Sequence, residues 1–116
     1  MNDKASKKFN KIVGRKIKFY RNYYGMTQLE LAEALGYTSD NSMISHVESG
    51  RRTMDKEMLF KAAEIFRVPV AVLMSDRDMS DRRLKAYLDL EKILDKGEET
   101  ASAQAVLSFL DMASKE

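Results

Sequence analysis

Apolar residues in the first quarter of the chain fall at helical intervals. Val13, Ile17, Tyr20 and Tyr24 stand at i, i+4, i+7 and i+11, one face of a helix from about Phe9 to Tyr24, with Arg15, Lys16, Lys18 and Arg21 on much of the remainder. Gly25 is placed to close that helix as a left-handed residue. The Thr27 hydroxyl suits an N-cap, and Leu29, Ala32 and Leu35 then line the inner face of a second helix that Gly36 ends. A polar loop follows, Tyr37-Thr38-Ser39-Asp40, in which Ser39 or Asp40 can cap the next helix. In that third short helix, about Asn41 to Ser49, Ile44 and Val47 face inward and leave Asn41, Ser42, Ser45 and His46 pointing away from the core. Gly50 turns the chain, and Asp55 caps a fourth helix to about Phe66 with Leu59, Ala62, Ala63 and Phe66 inward. Pro69 sits where a first helical turn tolerates it and opens a short fifth helix through Leu73.

The pattern changes after Ser75. Asp76-Arg77-Asp78-Met79 reads as a hinge, and Ser80 caps a helix to about Lys96 with Leu84, Tyr87, Leu88, Glu91 and Leu94 on one side and Leu90 adjoining. Gly97 breaks it, and a last helix from about Thr100 to Ser114 carries Ala103, Val106, Leu107, Leu110 and Ala113 in one stripe, flanked by Phe109. Two such helices would fold as a hairpin with too little core to stand alone, so their stripes should be buried against the first domain or a second copy. The expected architecture is all-α: a flexible basic arm at 1–8, a five-helix domain at 9–75 and a two-helix segment at 76–116.

Composition narrows the function classes. A chain of 116 residues can hold one domain with a core and a modest extension. Without cysteine there is no disulfide or thiolate metal site, and His46, the only histidine, has no cluster around it for zinc. No Ser/His/Asp set or phosphate-binding glycine loop is present, so neither an enzyme nor a cofactor is expected. No apolar run reaches the length of a membrane span and the lysine-rich N-terminus lacks a signal-peptide core, so no membrane partner and a cytoplasmic location are expected. The net charge of +2 is unevenly spread: residues 1–25 carry eight Lys/Arg against Asp3 alone, 26–75 five against seven acids, and 76–116 seven against ten. That distribution suits a polyanion near the first helix. Arg51 and Arg52, directly after the third helix, are placed to neutralise phosphates and add salt-dependent affinity rather than sequence choice.

The strings TQLELAEALG, ISHVESGRR and LFKAAEIFRVPVAVLM together resemble the helix-turn-helix family of phage lambda repressor and Cro, the XRE family, over roughly Phe9 to Ser75. The resemblance implies that Ala32 is small because the third helix crosses closely over the second. It implies that Gln28, beside Thr27, lies against a DNA phosphate, and that the third helix enters the major groove with Asn41, Ser42, Ser45 and His46 toward base edges. Arg21 and Glu48 match positions that form a structural ion pair. From Gly36 to Ile44 the chain is two residues longer than the family pattern. Either the loop bulges, making Thr38 and Ser39 phosphate contacts with Tyr37 against the backbone, or the helix gains residues at its start and Asn41 leads the reading.

The implied function is a sequence-specific transcriptional regulator, a repressor binding an inverted-repeat operator in double-stranded DNA as a homodimer. The stripe of Leu84, Tyr87, Leu88, Leu94, Val106, Leu107 and Leu110 then serves dimerisation, docks a regulatory protein partner, or forms only the hairpin's own core. Two other classes fit the same residues: an antitoxin-type DNA-binding protein whose C-terminal helices hold a partner, and a helix-turn-helix scaffold that has lost DNA binding.

Overall fold

The computed structural model describes residues 3–37 and 41–95. Among them are six helices and no strand: α1 (Asp3–Tyr23), α2 (Gln28–Ala34), α3 (Ser42–Glu48), α4 (Lys56–Phe66), α5 (Val70–Met74) and α6 (Asp81–Asp95). The chain divides into two compact units after Asp78, inside the segment expected as a hinge. The last helix expected at Thr100–Ser114, its Val106, Leu107 and Leu110, and the loop residues Thr38, Ser39 and Asp40 lie outside the described residues.

The first unit is assembled around α1. Ile12, Val13, Ile17 and Tyr20 bury one face of it, meeting Ile44 and Val47 of α3, Phe66 of α4 and Leu73 of α5 in a common core. Tyr20 and Phe66 pack with ring centroids 5.5 Å apart, and Tyr24 lies nearly parallel to Phe66 at 6.2 Å while its hydroxyl donates to the Phe66 carbonyl at 2.6 Å. That bond lets Tyr24 seal the α1–α4 contact although the residue stays 40% exposed.

Three details depart from the periodicity. First, α1 begins at Asp3, so residues 3–8 are helical rather than an irregular arm. Lysine and alanine are good helix formers. Second, Leu29 is exposed, and the inner face of α2 is Leu31, Ala32 and Leu35. Third, Lys16, expected on the polar side of α1, is wholly buried. It stands three residues after Val13 and four before Tyr20, on the inner face. Its Nζ donates to the carbonyls of Val72 and Ser75, both at 2.9 Å, where α5 ends and a cation is favoured. Burial pushes the ammonium down to about 8, partly opposed by the charge of Asp78.

Four helix ends, those of α1 to α4, share one device. In α1, α2 and α3 the amides of Gly25, Gly36 and Gly50 bond the carbonyls of Asn22, Glu33 and Val47, and the next residues, Met26, Tyr37 and Arg51, reach back to Arg21, Ala32 and His46. This paired closure needs a left-handed residue, which glycine adopts without steric cost. At the end of α4 the same closure, Arg67 to Glu64 and Val68 to Ala63, places Arg67 at φ 59.

In the second unit, Ser80 Oγ accepts from the Arg83 amide at 3.1 Å and so caps α6. Leu84, Ala86 and Leu88 are buried, with Leu90 packed against Ala86.

Candidate nucleic-acid interface

The candidate surface is α3 with the residues that flank it. Seven residues are too few for a stable helix in isolation, so packing must hold α3 in shape. Ile44 and Val47 are 0% exposed and form its inner edge. Ala32, equally buried on α2, lies where α2 and α3 pack.

Gly14 of α1 sits directly beneath α3. A Cβ there would fall inside contact distance of the Val47 carbonyl oxygen and 3.0 Å from that of Glu48. The crossing of α1 and α3 is therefore backbone on backbone, and Gly14 permits it. Periodicity passes over this residue because glycine counts as neither apolar nor polar. A glycine inside a helical run with no capping task is the signal that finds it.

The outer end of the crossing is fixed by charge. Arg21 Nε and Nη2 donate to the two carboxylate oxygens of Glu48 at 2.6 and 3.0 Å, and Nη1 donates to the Met26 carbonyl at 2.6 Å. With side-chain exposures of 11% and 4%, this is a bidentate pair shielded from water. Gln28 joins it by donating Nε2 to Glu48 Oε1 at 3.1 Å. Because the carboxylate only accepts, the amide oxygen of Gln28 turns outward, where Asn41 Nδ2 approaches it at 3.5 Å. One Gln28 hydrogen is thus committed to Glu48, and its second remains available to a phosphate.

Thr27 is the N-cap of α2. Its Oγ1 accepts from the Glu30 amide at 3.0 Å and its own amide donates to Glu30 Oε1 at 2.8 Å, a reciprocal cap. The Thr27 amide first, and then its hydroxyl, donating to the Glu30 carboxylate, hold the carboxyl below its ordinary value.

Asn41 is the N-cap of α3, at φ −88 and ψ 2, and its side chain makes no capping bond. The helix proper begins at Ser42, directly after Asn41. Asn41, Ser42 and His46 are exposed and Ser45 is half-buried, all on the side opposite Ile44 and Val47. Beyond Gly50, Arg51 and Arg52 are exposed while both their amides donate to the His46 carbonyl, at 2.9 and 3.3 Å. Tyr37 is half-buried near this loop. Burial and then Asp55 raise its phenol above the ordinary value, and Arg52 opposes them.

Of the α6 stripe, Leu84 and Leu88 are buried in the single chain and Tyr87 is half-buried. The Leu94 side chain lies outside the described residues.

A short helix with an outward row of small polar side chains, locked to a capped partner helix and followed by paired arginines, defines a helix-turn-helix DNA-binding domain. Residues 17–73 match the helix-turn-helix family model, and this segment belongs to the lambda repressor and Cro-like, or XRE, family. It is the domain of a DNA-binding transcriptional regulator, its partner is double-stranded DNA, and the family is not a catalytic one. No curated protein and no solved structure matches the chain. Among the described residues no helix is long and apolar enough to cross a membrane.

Proposed function

We propose that the protein is a transcriptional repressor that binds an inverted-repeat operator as a homodimer. Each protomer inserts α3 into the major groove of one half-site, and the half-sites lie about 34–36 Å apart. The observation that carries this reading is the outward row of Asn41, Ser42, Ser45 and His46 on a helix whose other sides are fixed by Gly14, Ile44, Val47 and the Arg21–Glu48 pair. Asparagine offers donor and acceptor together and suits adenine, the serines serve either base class, and histidine donates to guanine. Thr27, Gln28, Arg51 and Arg52 hold the sugar-phosphate backbone, as do Thr38 and Ser39 of the longer loop. Promoter occlusion is the mechanism of repression.

Self-association falls to the second unit, through Tyr87 and the stripe that continues to Leu94, Val106, Leu107 and Leu110. Selection from random duplexes, followed by a salt titration on the recovered site, tests the DNA-binding reading. An inverted repeat with a steep salt dependence is the expected result, and no enrichment would overturn it. Sedimentation of the full chain and of the Leu107→Asp/Leu110→Asp variant tests the dimer: the first should sediment as a dimer and the second as a monomer of much weaker operator affinity. A monomeric parent chain removes the dimer.

A further inference from the structure

The helical start of α1 sets a row of lysines beside the DNA-facing loop. Lys7, Lys8 and Lys11 are all exposed, and both Lys7–Lys11 and Lys8–Lys11 are neighbours on the helix surface. Like charges at these spacings repel. By itself the arrangement weakens the helix that carries it, and a polyanion along this face relieves the repulsion.

The row is joined to the arginine loop by contact. A Cβ on Gly50 would lie 2.5 Å from Lys11 Cγ and 3.1 Å from Lys11 Cα, so α1 rests directly on the residue that precedes Arg51 and Arg52. Farther along α1, Arg15 pairs with Asp78 at 3.1 Å and Lys16 is buried, while Lys18 is exposed.

We infer that the exposed lysine face of α1, Lys7, Lys8 and Lys11, is a second phosphate-binding element that extends the Arg51–Arg52 contact along the backbone of the same DNA duplex. The inference rests on the proposed reading that α3 and its flanking loop face DNA. It assigns α1 a sequence-independent part: it adds affinity and salt dependence and leaves base preference to α3.

The test uses the full chain and a fluorescein-labelled 30-base-pair duplex of mixed sequence, with Kd measured by anisotropy from 50 to 200 mM KCl. Each phosphate contact contributes roughly 0.9 to the slope of log K against log salt. Lys7→Ala/Lys8→Ala should therefore lower the slope by about 1.8, as should Arg51→Ala/Arg52→Ala, while Lys7→Arg/Lys8→Arg keeps it. Helicity at 222 nm should hold or rise in the lysine-to-alanine variant, since alanine is the better helix former and the repulsion is gone, which separates lost binding from unfolding. If that variant keeps the parent slope and Kd while the arginine variant loses both, the lysine face is not a DNA contact and the α3 reading stands. If the parent chain shows no salt-dependent binding at all, the α3 reading fails and this inference fails with it.

Discussion

Gly14→Ala sets two physical effects of opposite sign against each other. In the interior of an ordinary helix this change stabilises by about 1 kcal/mol, because alanine restricts the unfolded backbone and suits the helix. Here the new methyl would press on the carbonyl oxygens of Val47 and Glu48, the latter 3.0 Å away. Both are backbone atoms with no rotamer to give way, so α1 and α3 must part by on the order of 1 Å to regain ordinary contact. Overpacking of this kind costs about 1–3 kcal/mol. Separation also loosens the packing of Val13 and Ile17 on Ile44 and Val47 and lengthens the 2.6 and 3.0 Å bonds between Arg21 and Glu48. Overpacking less the propensity gain leaves a net loss of up to about 2 kcal/mol. For a unit of this size a loss of that size lowers Tm by roughly 8–16 °C. Thermal unfolding followed at 222 nm reads the shift, and urea unfolding at 25 °C supplies the free energy. A variant that melts a few degrees higher than the parent would mean that propensity wins and that α1 and α3 do not cross as tightly as described.

Other expectations follow from the same contacts. Arg67→Gly relieves a left-handed residue at φ 59 and should raise stability by up to about 1 kcal/mol, seen as a higher urea midpoint with an unchanged m-value. For Lys16, pushed down to about 8 by burial, the unfolded chain binds more protons than the folded one above that pH. Stability should thus rise relative to a Lys16→Met variant by at most about 1.4 kcal/mol per pH unit between pH 8 and 9.5, and parallel curves for the two proteins would contradict this. Glu48→Ala leaves Arg21 only the Met26 carbonyl and Gln28 no carboxylate, a loss of about 3 kcal/mol. The Arg21→Ala/Glu48→Ala double variant should lose less than the sum of the single changes, and strict additivity in urea unfolding would show that the two do not interact.

The helices of the first unit were legible in the sequence because each carries its own stop. Glycines at 25, 36 and 50, Asp55 and Pro69 punctuate the chain, and the residues between them repeat at helical spacing. What periodicity misjudged are positions where chemistry and location disagree. Lys16 has a charged side chain at an inward position, and only the tertiary fold supplies the two carbonyls that satisfy it. Leu29 is apolar at an outward position, because α2 turns Leu31 inward instead. Gly14 has no side chain to be counted, yet it sets the distance between two helices. Gln28 was legible as a residue of the surface but not as one tied to Glu48, since a bond across twenty residues depends on how α2 and α3 are brought together.

These positions share a consequence for how the surface works. The geometry of α3 is imposed from behind and from its ends, by Ile44 and Val47 in the core, by Gly14 beneath, by Glu48 on Arg21 and Gln28, and by Gly50 on Lys11. His46 is exposed and Ser45 half-buried, both on the side away from Ile44 and Val47. Exchanges at such surface positions ordinarily change stability by no more than about 0.5 kcal/mol. A frame held in this way can accept exchanges at Ser45 and His46 without refolding. A seven-residue helix suffices because its stability is borrowed from α1 and α2.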